Sequence, residues 1–414
     1  MRVNTLSADT PVAAAANAMN AQEKRSAASL ALIFALRMLG LFLVLPVFAL
    51  EARKYPGGDD PALVGLAMGV YGLTQGFLQI PFGIASDRVG RKPVMVVGLV
   101  MFAIGSAVAA MAPTMGWLIA GRAIQGSGAI SAAVTALLAD QTRDAVRTKA
   151  MALVGASIGL MFAVSLVLSP LLASVVGLSG LFVITCALAL GGIAVVLWWV
   201  PPEPPQAALQ QRNSAWADLG TVLRHPALLR LDLGVFILHA VQLAMWVALP
   251  AMLVQAGLSK DHHWWVYLPA VLASFFVMGA TLFPLEKRGY LRAVFLCAVG
   301  LIALVQLGLL FSAQGTPSIG VLAFWLFVFF CGFNVLEASQ PSMASRIAPP
   351  QVRGTALGVY NTLQSLGFFT GGLLGGVLVK GFGPQGLFVT CTAVMLTWLV
   401  VAWPMRAPVA AIAP

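Results

Sequence analysis

The sequence predicts an all-α membrane protein: twelve transmembrane helices in two pseudo-symmetric six-helix bundles. Three observations carry that prediction. Of 414 residues, 60% are apolar and 9% charged, with a mean hydropathy of +0.92, whereas soluble domains carry about 25% charged residues. The apolar residues fall in runs of about 20, the length that crosses a bilayer as helix, and they lack the period-two alternation of a membrane β-barrel. Finally, six such runs precede a polar interval and six follow it. A soluble enzyme, a nucleic-acid binder and a disordered regulator are excluded, despite the net charge of +10.

Residues 1–26, rich in Ala, Asn, Ser and Thr, read as a disordered tail rather than a signal peptide. Spans are expected at 27–50, 62–84, 94–112, 117–139, 148–173 and 179–200, forming an N-terminal bundle over 27–200. The linker, 201–228, opens with Pro201-Pro202-Glu203-Pro204-Pro205, which stops the sixth helix. Within it, Asn213 or Ser214 is placed to cap a short surface helix carrying Trp216, Leu219 and Leu223 on one face. A C-terminal bundle over 229–405 has spans at 229–253, 264–284, 290–312, 317–343, 354–379 and 384–405, before a short tail, 406–414. Trp117, Trp198, Trp199, Trp264, Trp265 and Trp403 fall at span ends, as interfacial anchors do.

Basic residues orient the chain. Of 24 Lys and Arg, only Arg53, Lys54, Lys260 and Lys380 fall in odd-numbered loops, and Arg37 and Arg122 lie inside spans. All the others lie in the two tails and the even-numbered loops, which places both termini and the linker in the cytoplasm. The halves also echo each other at an offset of 206: Gly180-Leu181-Phe182-Val183 with Gly386-Leu387-Phe388-Val389, Val146-Arg147 with Val352-Arg353, and Ser165 and Ser169 with Gly371 and Gly375. Parallel six-helix repeats place a binding site between the halves near the midplane. Cys186, Cys297, Cys331 and Cys391 lie inside apolar runs without metal-ligand spacing and read as packing residues; no metal site is expected.

Ionisable residues inside a bilayer cost roughly 2.5–3.5 kcal/mol each and are retained for function. Glu337, Arg37, Arg122 and His239 lie well within spans, with Asp232 nearer an end. They are the proton-coupling candidates. For Glu337 the alternatives are a permanent ion pair with Arg37 or Arg122, or substrate anchoring; for His239, a packing role. Polar residues recurring at helical spacing mark the candidate cavity: Tyr71, Gln75 and Gln79 on span two, Gln125 on span four, Gln242 on span seven, Asn334 on span ten, Asn361 and Gln364 on span eleven. Amides that bond neighbouring helices would show the same pattern. Gly367, Gly371 and Gly375 of span eleven read as close helix packing.

The loop after span two reads Gly83-Ile84-Ala85-Ser86-Asp87-Arg88-Val89-Gly90-Arg91-Lys92-Pro93. Asp87 ends a helix at the surface, Gly90 allows a tight turn, and Arg88, Arg91 and Lys92 hold the loop among headgroups. This loop resembles the signature of the major facilitator superfamily. Leu118, Arg122, Gln125, Gly126 and Gly128 are similar to its span-four pattern. Leu39-Gly40 and Pro46-Val47 resemble the drug:proton antiporter branch, whereas that branch's span-five signature is eroded here to Ser165, Ser169-Pro170 and Ala173-Ser174. Arg37-Met38-Leu39-Gly40, Gly72-Leu73-Thr74-Gln75, Ile80-Pro81-Phe82-Gly83, Gly126-Ser127-Gly128-Ala129-Ile130, Thr148-Lys149-Ala150-Met151-Ala152 and Gly358-Val359-Tyr360 look like the YajR-type efflux group. That group carries a soluble domain after its last span, where this sequence has only Arg406 to Pro414, so regulation by such a domain is not expected.

The resemblance implies a cytoplasmic gate in which Asp87, Arg91 and Asp140 form a charge network, with Asp87 facing the start of span eleven near Gly354-Thr355. It also implies alternating access, with proton-coupled efflux of small amphipathic compounds from the bacterial inner membrane. The expected partners are a small-molecule substrate, protons and membrane lipids; no nucleic acid or cofactor is expected, and a monomer suffices. A proton symporter or facilitator for a sugar or other metabolite is the alternative, and a non-transporting ligand sensor a remote one.

Overall fold

The computed structural model describes residues 18–203, 215–349 and 352–405. The tail 1–17, the expected caps Asn213 and Ser214, the side chain of Trp216 and the tail from Arg406 lie outside the described residues.

Helix α1 (Ala21–Glu51) begins inside the stretch expected to be tail. Its start is a capping box: the Asn20 side chain accepts from the Glu23 N–H, and Glu23 accepts from the Asn20 N–H. Asp60 caps α2 (Pro61–Val89), which has proline at its first position. Next come α3 (Arg91–Ala110), α4 (Met115–Gly126), α5 (Ser131–Asp140) and the long α6 (Asp144–Trp198). After the short α7 (Ala215–Leu223) the second half contains α8 (Pro226–Gln255), α9 (Trp264–Lys287), α10 (Leu291–Ser312), α11 (Ile319–Ile347) and the long α12 (Arg353–Ala402). Nine helices among the described residues are long and apolar enough to span a membrane.

Nine becomes twelve for two physical reasons. First, α6 and α12 each contain one residue that no helix tolerates, Gly177 (φ 63°, ψ −171°) and Gly383 (φ 67°, ψ −175°). That region is open essentially to glycine alone. The chain reverses there. Ser157 bonds the Ala31 carbonyl and Phe162 packs on Phe42, so the first part of α6 runs parallel to α1. Thr185 bonds the Gly40 carbonyl and Arg25 the Trp199 carbonyl, so the second part runs antiparallel. Likewise Gly367, Gly371 and Gly375 meet Phe236, Ala240 and Ala244 in parallel, while Trp398 returns to Gly234. The two reversal glycines stand 206 residues apart, the offset already seen in the sequence repeats. Second, span four is broken between α4 and α5 over residues 127–130, a break hydropathy conceals because Ala129 and Ile130 keep the segment apolar.

Lipid tails are as apolar as leucine, so association between spans rests on close packing rather than on the hydrophobic effect. The glycines supply it. A side chain on Gly371 would strike the Ala240 backbone, and one on Gly375 would lie 2.9 Å from the Ala244 Cα. Gly372 and Gly376 instead face α2, where Gly65, Gly69 and Gly72 leave room for α12 to cross antiparallel. Across the far end, where residues 51–60 lie, ion pairs join the halves: Lys260 to Glu51 at 2.5 Å and Lys380 to Asp60 at 2.7 Å. Glu51 is buried and also binds Lys54 at 2.6 Å. Toward the terminal end, where Ala21 and Met405 lie, the α2–α12 glycine contacts stop at Gly76 and Ser365, and Gly358 meets nothing within 4 Å. Among the cysteines Cys297 is exposed, which corrects its reading as a packing residue; Cys331 and Cys391 are buried.

Gly177→Ala and Gly383→Ala should each destabilise the protein by about 1–3 kcal/mol, the cost of a side chain in that backbone region. Thermal unfolding in detergent checks this against Gly155→Ala, an open helical position where alanine should not lower the midpoint.

Candidate functional site

Two polar clusters sit inside the spans, one in each half. The first is built around the break in span four. Unwinding at 127–130 takes the Gly128 carbonyl out of the helix ladder and onto the Ile130 N–H at 2.9 Å, and irregular backbone at membrane depth survives only where protein groups support it. Arg37 of α1 does so, donating to Gly128 O at 3.2 Å, to the Tyr71 hydroxyl at 2.8 Å, and over 3.5 Å to Gln75 Oε1 and Ser131 Oγ. Tyr71 and Gln75 share a face of α2 as their four-residue spacing requires. The Tyr71 ring also lies 4.9 Å beneath the Arg122 guanidinium, and the Phe102 ring 5.6 Å from that of Arg37. Arg122 donates to Gln125 Oε1 at 2.5 Å and to the Ala67 carbonyl at 3.4 Å, and Gln125 donates to Ser106 Oγ at 2.9 Å.

The second cluster joins three helices of the other half. His239 on α8, Glu337 on α11 and Gln364 on α12 meet with Nε2 to Glu337 Oε2 at 3.3 Å, Gln364 to His239 Nε2 at 2.8 Å, and Gln364 to Glu337 Oε1 at 3.3 Å. His239 Nδ1 lies 2.9 Å from the Val235 carbonyl, which can only accept, so Nδ1 carries a hydrogen. Nε2 is therefore the ring nitrogen turned toward the carboxylate and the Gln364 amide. Phe333 and Phe368 pack edge-on against the imidazole at 5.9 and 4.8 Å. The Glu337 side chain is 42% exposed, so one carboxylate stays within reach of water from the cavity. Glu337 thus stands beside histidine, its Oε2 near Nε2 but without a hydrogen bond, and not beside Arg37 or Arg122 as the fixed-pair alternative required.

The clusters lie at similar depth under an aromatic roof. Phe42 of α1, Phe162 of α6 and Phe330 of α11 stack edge-to-face at 5.2 and 6.0 Å, bridging the halves. Arg37 stands five residues below Phe42 and Glu337 seven below Phe330, about 7.5 and 10.5 Å toward the terminal end. Of the other candidates, Asn334 donates to Ser274 at 2.8 Å and joins α11 to α9, a packing role that removes it from the cavity. Gln79, Gln242 and Asp232 are buried, each with one side-chain oxygen unpartnered. Asp232 lies two turns from His239 on α8, outside the second cluster. Asn361 is half-buried, one turn before Gln364.

At the terminal end, Arg91 ties the loop together. It pairs with Asp87, with Asp140 at 3.3 Å and with Ser86 Oγ at 2.8 Å. Gly90 holds φ 112° at the turn, Gly83 packs near Ala132, and Arg88 is exposed. Sequence reasoning missed Glu203, which follows span six. Its carboxylate accepts the Arg91 and Lys92 N–H groups at 2.9 and 2.6 Å, capping the positive end of α3, while Lys92 Nζ reaches the Val200 carbonyl at 2.7 Å. The only signal was an acid inside a proline cluster.

The chain as a whole is similar to known membrane transporters. A family model described as Major Facilitator Superfamily matches residues 30–369 and 284–412. The chain is 41% identical over 395 residues to the inner membrane transport protein YajR of Escherichia coli (strain K12), covering 94% of this chain and 85% of that protein. It is 28% identical to the multidrug resistance protein MdtH of Aeromonas salmonicida, covering 86% of this chain and 88% of the other. A crystal structure of a D-xylose–proton symporter superposes with a TM-score of 0.72 over 92% of this chain and 98% of its own, at 14% identity, which speaks to the fold alone.

Glu203→Ala should cost about 0.5–2 kcal/mol, as loss of a helix cap does, and should loosen the loop around Arg91. Hydrogen exchange at residues 88–93 reads the loosening; unchanged protection there would contradict the clamp.

Proposed function

We infer that the chain, which belongs to the major facilitator superfamily and is an integral membrane transporter of a small molecule with ion coupling, is a proton-driven exporter of small amphipathic compounds. It needs no cofactor and is not an enzyme. The observation that carries the reading is the His239–Glu337–Gln364 cluster, a titratable pair inside the spans with one carboxylate open to the cavity. The similarity to YajR, an inner membrane transport protein, supports transport, and that to MdtH, a multidrug resistance protein, supports efflux.

In this reading the protein sits in the bacterial inner membrane with both termini cytoplasmic, and the state described faces inward. Support comes from the far-end ion pairs Glu51–Lys260 and Asp60–Lys380, from the glycine crossing of α2 and α12, and from the open surface around Gly358. Substrate enters from the cytoplasm beneath the aromatic roof. Rocking of the halves breaks the far-end pairs and brings the Asp87–Arg91–Asp140 network against the start of α12, which holds the outward state. An external proton then enters the His239–Glu337 pair, substrate leaves, and release of the proton inward resets the site. The proton drives net transport only because the two states differ in affinity for it. Arg37 and Arg122 set the field around the pair from the opposite wall. The eroded span-five motif favours one rival, a proton symporter of a metabolite, in which acidification drives uptake instead.

Proteoliposomes with an imposed pH gradient and a panel of dyes, drugs and sugars test the reading. Wild type should lose substrate against its gradient, while Glu337→Gln should retain only gradient-independent exchange. Equal coupled flux in both would refute the assignment and turn the search to Asp232. The far-end closure has its own pH dependence. Hydrogen bonds from Lys380 and from the Ala62 N–H hold the Asp60 carboxyl below its usual range. A depressed value means the pair supports closure above the ordinary carboxylate pKa of about 4 and loses that support as pH falls through the lower one. A spin-label distance between residues 53 and 316 should therefore stay constant from neutral pH to about 5 and lengthen below about 4. Lys380→Ala should lengthen it already at neutral pH.

A further inference from the structure

Arg37 and Arg122 are both 1% exposed. Burying a charge is tolerated when an opposite charge or a full set of hydrogen bonds offsets the loss of water. Neither arginine has an acid: among the described residues no ion pair includes Arg37 or Arg122, and the in-span carboxylate Glu337 is engaged with His239. Hydrogen bonding is also incomplete. Arg37 Nε has no partner, and two of its four bonds, to Gln75 and Ser131, are stretched to 3.5 Å. Those two partners are half-buried side chains, so small rotations uncover the guanidinium toward the space between the halves. The first wall of the cavity is therefore a pair of cations stacked on aromatic rings, held by neutral groups alone.

We propose that this wall is an anion subsite, and that the transported compound carries a carboxylate, sulfonate or phosphate group on an aromatic or aliphatic body. Arg37 takes the anionic group through its in-plane N–H donors, the geometry that suits bidentate binding of such oxyanions. Arg122, held one contact away across the Tyr71 ring, adds its charge without touching the ligand. The apolar body lies against Phe42 and Phe162, the half-buried rings of the roof on this side. A cationic amphipath is disfavoured at the same place by two like charges. The proposal rests on reading the chain as a transporter whose cavity lies between the halves, and it names the substrate class for that cavity.

Three naphthalene probes that differ in charge test it: 2-naphthalenesulfonate, 2-naphthalenemethanol and 2-naphthylmethylammonium. Binding is measured by equilibrium dialysis to the full chain in phosphatidylcholine nanodiscs, with empty nanodiscs as background. The sulfonate should bind at least tenfold more tightly than the other two. Arg37→Gln and Arg122→Gln should each weaken it about tenfold and leave naphthalenemethanol unchanged, while Arg37→Lys should recover part of the loss. Because those variants can fail to fold, a second measurement uses the wild type: 2-naphthalenesulfonate should protect Arg37 from phenylglyoxal, read by peptide mass spectrometry. Equal or tighter binding of the ammonium or alcohol probe, no binding of the sulfonate, or no protection of Arg37 overturns the proposal. The measurement involves no pH gradient, so it stands or falls separately from proton antiport. Loss of gradient coupling with intact sulfonate binding would sink only the transport reading.

Discussion

Hydrocarbon offers no hydrogen bonds, and this single constraint organises the molecule. Every backbone polar group within the bilayer must find a partner in the protein, so the chain is helical wherever it meets lipid. Each departure from helix then needs a specific group to satisfy what it frees. The break at 127–130 is the clearest case: the Gly128 carbonyl leaves the helix ladder and accepts instead from the Ile130 N–H and from Arg37. Structure and charge are coupled at that point. The arginine completes the backbone, and the broken backbone holds the arginine.

The two halves share a repeat but not a chemistry. Gly177 and Gly383 occupy equivalent positions with the same backbone angles, and the flanking glycines Gly180 and Gly386 both crowd the residue four before them. Inside these matched frames the first half holds guanidinium groups over aromatic rings, while the second holds an imidazole–carboxylate pair with an amide. A duplicated scaffold thus presents a cationic wall opposite a titratable one, at comparable depth beneath Phe42, Phe162 and Phe330. Such division of labour is what the exporter proposed above would use, with solute and proton held on opposite walls of one enclosure.

Much of the fold was legible because it follows from length and hydropathy. The helix ends at Trp198 and Glu51 lie close to those expected, whereas the first helix starts earlier, at Ala21, and the second runs on to Val89, because hydropathy does not see polar helix ends. Gly367, Gly371 and Gly375 were readable as packing residues because a four-residue spacing of glycines on a span leaves few other uses. The charge network of Asp87, Arg91 and Asp140 was reached through the resemblance of its loop to the family signature. Less of the site was legible. Hydropathy could not report the unwinding beside Ile130, since it measures transfer cost and not backbone shape. Asn334 looked like a cavity residue because spacing along one helix does not say which neighbour it meets. The pairing of Glu337 with His239, rather than with an arginine, depends on how α8 and α11 rotate about their axes, which a single sequence does not encode. Glu203 was hidden among prolines, where an acid suggests only a polar loop.

The reversals at Gly177 and Gly383 have a mechanical side. Each hairpin turns on essentially one residue, so spans five and six, and likewise eleven and twelve, have no slack between them. Neither member of a pair can tilt or slide without dragging the other, and the far end behaves as two stiff elbows. Longer connections lie at the opposite end, around residues 199–225. Glu203, just past the end of span six, holds the loop at Arg91, so each tilt of the span-five and span-six hairpin carries its far-end turn and that loop together.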